Sequence, residues 1–242
     1  MILILLLLSV GLHAQENQKD ESGDKHGYWK EKDGRNDTEG LYDHGLKTGT
    51  WKTYWPKGII KELTEYKEGK KHGIEVKIDN RGYLESENHF VEGELDGPQK
   101  SYTYGGHLQS YAEYNHGKLD GIKKTYYERR LGKLMEKSSY KNGEKHGTSL
   151  WYDREGNQIA AYNYKDGLFE GWQYTFHPSG DTATATFCER NLKQGKYFEY
   201  FEGGTLKVEG QHENDLREGK WFYYNKEGER TEKKRFKKGE EK

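Results

Sequence analysis

Cysteine is nearly absent from this 242-residue chain: Cys188 stands alone, so no disulfide can form within it. A surplus of one charge is absent too, because 40 basic residues offset 41 acidic ones. That balance gives no broad basic surface, and nucleic acid is excluded as an expected partner. Leu, Ile, Val and Phe together number 40 of 242 residues, under the roughly 20% below which disorder is suspected. Disorder would also need high net charge, which is missing. No GxSxG, P-loop, HExxH or CxxC motif occurs, so the sequence offers no machinery for catalysis and no cofactor is expected. The one long apolar run is MILILLLLSVGLHA, residues 1–14, shorter than the roughly 20 residues of a membrane span. It reads as a secretory signal cleaved after Ala14, which implies export to the periplasm or beyond. Residues 15–25, QENQKDESGDK, are polar and aperiodic and are expected to form a flexible linker.

What the chain has in abundance is glycine, 31 residues, and aromatics, 14%. Their placement is periodic. Gly49, Gly73, Gly97, Gly121, Gly147, Gly171, Gly195 and Gly219 follow one another at 24 residues, except for one step of 26. A fixed period of this size marks a repeat architecture. Each copy has a second glycine nine residues on (Gly58, Gly82, Gly106, Gly156, Gly180, Gly204, Gly228), or eleven on at Gly132, where two residues are inserted. An aromatic or apolar residue stands five after the first glycine: Tyr54, Ile78, Tyr102, Tyr126, Tyr152, Phe176, Tyr200 and Tyr224. Another column, Tyr66, Phe90, Tyr114, Tyr140, Tyr164 and Phe236, precedes the closing turn, with Cys188 and His212 substituting in two copies. The five to seven residues between turns suit strands, since helices need ten or more. One repeat is therefore a β-hairpin, and the repeat domain runs over residues 26–242 in about nine copies. No single copy has enough apolar surface to fold alone, so stability must come from neighbours.

The closing turn has its own column: Gly45, Gly69, Gly93, Gly117, Gly143, Gly167, then Asn191, Asp215 and Gly239. Asn and Asp tolerate positive φ best when glycine is absent. This position is expected to need a left-handed backbone.

The pattern G-x-W-x-x-Y-x-x-x-G, a second strand ending in Tyr, then K-x-G-x-x-x-G, as from Gly49-Thr50-Trp51 through Gly69 to Gly73, closely resembles the MORN-repeat variant of bacterial proteins of the YwqK antitoxin family. The resemblance implies consecutive antiparallel hairpins in an elongated, twisted, single-layer sheet. It also implies a binding or scaffolding role, with neutralisation of a partner toxin by direct contact. On that reading nine hairpins at roughly 10 Å each would span about 80 to 90 Å.

The residue before each first glycine is His26, Thr48, His72, Asp96, Asp120, His146, Glu170, Gln194 and Glu218. Successive members should lie roughly 10 Å apart, too far for one metal ion whose ligands sit at about 2 Å. A solvated turn edge is expected, with no metal. Cys188, in an aromatic column, is expected to be a small buried thiol.

Strand alternation assigns the faces. Residues one, three and five after the first glycine, here the odd face, include Ile74, Val76, Ile78, Trp172, Tyr174, Phe176, Phe198, Tyr200, Phe222 and Tyr224 and are expected to be packed. The even face carries Trp51, Trp55, Trp151, Tyr197, Phe201, Trp221 and Tyr223 among polar residues. Irregular aromatics on a polar face are what interface anchors look like, so these seven are the candidate partner-binding residues. Truncating Trp51, Trp151 or Trp221 should then weaken binding more than stability, and truncating Tyr152 or Tyr224 the reverse. The expected function is a non-catalytic scaffold for a protein partner. The alternatives are glycan stacking on exposed aromatics such as Trp51, Tyr104, Tyr127, Trp172 and Trp221, and binding to a membrane surface. The C-terminal KKRFKKGEEK is the one cluster that could serve anionic lipid.

Overall fold

The computed structural model describes residues 16–128 and 132–242. The expected signal at 1–14 lies outside them. Among the described residues there are strands and turns and no helix, and the fold is all-β, a single-layer antiparallel sheet of consecutive hairpins. The chain divides into two compact units. One comprises the described residues through Leu84 with Phe90–Gly93; the other comprises Glu85–His89 and Glu94–Lys242.

In the first unit, strands Lys25–Asp33, Asn36–Asp43, Leu46–Tyr54, Ile60–Lys67 and Lys70–Ile78 pair antiparallel in chain order. Gln18–Lys19, expected in a flexible segment, instead pairs with Lys25 and His26. Its neighbour Asn17 accepts the Lys30 N–H at 2.8 Å, so this polar stretch extends the sheet. In the second unit the same pattern continues from Gly97–Thr103 to Arg230–Lys237. Many strands reach eight or nine residues, longer than the expected five to seven, because the ladder runs on past the first glycine to the closing turn.

Those closing turns place two consecutive residues in the left-handed region: Asp166 and Gly167 at φ 50° and 79°, Arg190 and Asn191 at 49° and 71°, Asn214 and Asp215 at 49° and 69°. This is the type I′ pattern, whose twist matches that of the flanking strands. The expectation for Asn191 and Asp215 holds. Their side chains add something glycine cannot: Asn191 Oδ1 accepts the Phe169 N–H at 2.6 Å and Asp215 Oδ1 the Lys193 N–H at 2.7 Å. Gly167→Val should therefore cost about 1–3 kcal/mol through strain. Asn191→Gly should cost about 0.5–1.5 kcal/mol through the lost bond, although backbone preference alone would make it neutral. Urea unfolding of the two variants checks this, and an Asn191→Gly protein as stable as wild type would mean that the bond contributes nothing.

The faces come out opposite to expectation. Among the described residues every buried side chain except those of Ala161 and Ala185 belongs to the even face, including Trp51, Thr64, Glu75, Ser138, Ser149, Gln173 and Trp221. A sheet with no second layer can bury a side chain only among neighbours on its own face. Rings are covered there when the adjacent positions are small, and two glycines show how far this goes. Gly40 and Gly210 are the described glycines without positive φ; a Cβ on Gly40 would lie 2.5 Å from the Trp51 ring, and one on Gly210 would collide with the Trp221 ring. They provide room.

Candidate interaction surface

The seven even-face candidates are packed to different depths, and only Trp51 and Trp221 are buried. Trp51 is 3% exposed; its indole N–H donates to the Leu41 carbonyl at 3.0 Å, Tyr42 meets it edge-on at 4.9 Å, and the Lys47 ammonium sits 3.9 Å from the ring centroid. Trp221, 1% exposed, forms a cluster with Val208 and Phe236 against which Tyr197 and Tyr223 pack, and Arg217 covers its ring at 4.4 Å. Burial, with help from neighbouring Glu199, pushes the Tyr197 hydroxyl up to about 12. Trp55 donates its N–H to the Ile78 carbonyl in the next copy at 3.0 Å, a tie between hairpins. Trp151 and Phe201 are half-buried under Lys145 and Lys207. The candidates are also dispersed, Trp51 and Trp55 in the first unit and the other five in the second. Trp51 and Trp221 present no ring to a partner, so the expectation that the even face is the exposed one is overturned.

A repeated cation explains much of this packing. The basic residue two before the first glycine lies over the closing aromatic of its own copy: Lys25 on Tyr42 (4.8 Å), Lys47 on Tyr66 (5.5 Å), Lys71 on Phe90 (5.1 Å), Lys145 on Tyr164 (5.1 Å) and Arg217 on Phe236 (5.3 Å). Such contacts contribute roughly 0.5–2 kcal/mol each, more as they are desolvated. Where Cys188 replaces the aromatic, Phe169 replaces the cation and packs on Tyr162 and Tyr164 at 5.5 and 4.8 Å. The thiol is buried, and burial raises its pKa, which disfavours the nucleophilic thiolate. His212 is held toward the neutral form by burial first and by Lys193 and Arg217 second.

The odd face of the second unit carries the aromatics that remain available. One cross-strand row runs Leu150, Ala161, Tyr174, Ala185, Phe198, Glu209, Phe222, Lys233. Beside it, Trp172 contacts Phe187 at 5.5 Å, Phe198 at 6.0 Å and Tyr174 at 6.2 Å, and Phe198 reaches Tyr200 at 6.4 Å. These rings are all half-exposed, and the alanines between them are buried because the rings flank them. Lys196, Glu209, Gln211 and Lys220 join Phe198 and Phe222 around a groove of about 380 Å³. Tyr224 donates to Glu209 at 2.6 Å and fixes that carboxylate, while Arg230 lies 5.5 Å from the Phe222 ring. In the first unit the equivalent row is Lys30, Glu39, Lys52, Leu63, Val76. It has no aromatic. The sequence does show the odd-face aromatics, but their regularity suggests a core.

The file of residues before the first glycines turns out to brace the closing turns. Asp120, Glu170 and Glu218 accept the N–H of the left-handed residues Asn142, Arg190 and Lys238 at 3.1, 3.1 and 2.8 Å. Gln194 does the same for Asn214 at 2.9 Å. His72 faces Glu92, Asp96 faces His116 and His146 faces Asp166, at 3.6, 3.6 and 3.3 Å.

No protein-family profile matches the chain, and no curated protein does. Among solved structures, one titled "Crystal Structure of TcdB2-TccC3-TEV" is similar over 86% of this chain and 12% of its own, at 14% identity and a TM-score of 0.20. Another, "ASR Alternansucrase in complex with isomaltononaose", is similar over 81% of this chain and 16% of its own, at 13% identity and a TM-score of 0.22. The chain thus spans a small part of either protein, and likenesses this slight carry no inference.

Proposed function

We propose that the chain is a non-catalytic, exported repeat scaffold that binds another protein through the odd face of its second unit. The observation that carries this reading is the patch of Trp172, Tyr174 and Phe198, half-exposed rings in contact through Trp172 on an open sheet face, with Phe222 further along the same row beyond Glu209. Aromatic anchors inside a charged rim are the usual composition of an interface centre. The rim is mostly basic, from Lys196, Lys220, Arg230 and Lys233, which suits a partner with an apolar segment flanked by acidic residues. The resemblance to MORN-type antitoxin proteins points the same way, toward neutralisation by direct binding.

Trp172→Ala and Phe198→Ala should lower partner retention from an envelope fraction at least tenfold, the scale of losing a binding hot spot of about 2 kcal/mol. The same variants should leave most of the stability intact. Retention equal to wild type in both variants overturns the proposal. The groove between Phe198 and Phe222, with its two lysines, carboxylate and amide, favours a saccharide as the second reading, since rings with a few convergent polar groups also suit small ligands. Displacement of the retained material by soluble envelope glycan, and not by salt, would select that reading.

A further inference from the structure

Along the glycine edge, the residue before the first glycine meets its closing turn as acceptor to donor in seven copies, as in His72 with Glu92 or Glu170 with Arg190. The first copy breaks this rule. There His26 faces a second imidazole, His44, with ring centroids 5.1 Å apart, and a carboxylate from outside the repeat joins them. Asp20 Oδ2 lies 2.6 Å from His44 Nδ1.

We propose that Asp20, His26 and His44 form a binding site for a divalent transition metal of the zinc class. One ligand atom from each of the three lies within 4.8 Å of the others. Imidazole nitrogen and carboxylate oxygen are donors that zinc accepts at about 2.0–2.2 Å, and ligands on such a tetrahedron stand about 3.3 Å apart. Asp20 and His44 must therefore open slightly and His26 must close in. The structure allows both movements. The Asp20 side chain is 11% exposed, whereas those of His26 and His44 are 50% and 70% exposed and their rings can turn.

The carboxylate is the fixed member. Its Oδ1 accepts the N–H groups of Ser22 and Asp24 at 3.0 and 2.9 Å, which holds Asp20 in place and leaves Oδ2 directed at His44. The Gly45 N–H donates to the Lys25 carbonyl at 2.8 Å, so the turn that carries His44 is tied to the strand that carries His26. Asp43 Oδ1, 3.5 Å from His26 Nδ1 and 3.9 Å from His44 Nε2, adds negative charge and an outer partner for either ring, as metal-bound histidines require. Three protein ligands leave one position for water. The spacing argument against one metal shared along the file of first-glycine neighbours is untouched, because His44 and Asp20 belong to a different file and to the N-terminal segment.

The test is titration of the full chain with Zn²⁺ alone by calorimetry at pH 7.5. One site per chain is expected, weakened at least tenfold in His26→Ala, His44→Asn and Asp20→Asn, and unchanged in His72→Ala and His146→Ala. Asparagine is chosen at position 44 because its φ is 44°, which asparagine tolerates. No uptake by the wild-type chain overturns the proposal. So does equal weakening by the His72 and His146 variants, which would indicate unspecific binding to surface histidines.

Discussion

Trp221→Ala should lower stability by about 3–5 kcal/mol, the range for removing a buried aromatic ring. Its ring is 1% exposed and is enclosed by Tyr197, His212 and Phe236 at 5.4, 5.1 and 6.0 Å. Gly210 supplies the floor of that site: a methyl group there would enter the ring, so Gly210→Ala should cost about 1–3 kcal/mol through overpacking. The double variant should cost less than the two single ones together. Once the ring is gone, the alanine methyl occupies vacated space, and contacting pairs commonly couple by roughly 0.5–3 kcal/mol. Urea unfolding of wild type, both single variants and the double variant measures the coupling. Strict additivity would mean that Gly210 is not there to seat the ring, and a Trp221→Ala cost under about 1 kcal/mol would mean that the ring is not a core element. The second result would restore Trp221 as a candidate for partner contact.

The hairpin repeat was legible because turns are local. A two-residue type I′ turn needs positive φ at fixed positions, so glycine, Asn191 and Asp215 mark it without knowledge of the tertiary structure. The use of the faces was harder to read. Alternation separates two sets of side chains but does not say which set is covered, and regular hydrophobicity is a good guide only when a second layer packs on one face. In a single layer the covered face is the one where large rings meet small neighbours. That left a trace in Gly40 and Gly210, which fall outside the repeating glycine columns and each precede a tryptophan, Trp51 or Trp221, by eleven residues. The missing columns of the aromatic ladder were legible in the same partial way. Cys188 and His212 stand out as gaps, whereas the exchange of a cation for Phe169 that compensates the first gap requires knowing that the two columns touch. The grouping of Asp20 with His26 and His44 depends on the N-terminal segment joining the sheet, which its polar composition conceals.

The repeat therefore combines a backbone rule with a side-chain rule, and the two have different tolerances. The backbone rule is met by any residue that accepts a left-handed turn. Where a neighbouring side chain needs the volume of the missing Cβ, the side-chain rule admits glycine alone.

Gly121 lies under both rules. Its φ is 116°, and a Cβ would collide with the Glu113 carboxylate, whose Oε2 accepts the Ile122 N–H at 2.7 Å. The same arrangement recurs at Gly73, where Glu65 accepts the Ile74 N–H at 2.8 Å. Gly121→Ala should add backbone strain of about 1–3 kcal/mol to the loss of a hydrogen bond to a charged group, about 1.5–3 kcal/mol, for a total of about 2.5–6 kcal/mol. Gly143→Ala is the control, because φ there is 92° and no atom lies within 4 Å of the added methyl. It should show the strain alone. Adding Glu113→Ala to Gly121→Ala removes the collision and should cost no more than Gly121→Ala by itself, whereas in the wild-type background Glu113→Ala should destabilise by about 1–3 kcal/mol. Chemical unfolding of these four variants separates the contributions. Equal losses for Gly121→Ala and Gly143→Ala would show that Glu113 moves aside freely and that the first glycine of the repeat is kept for its backbone angle alone.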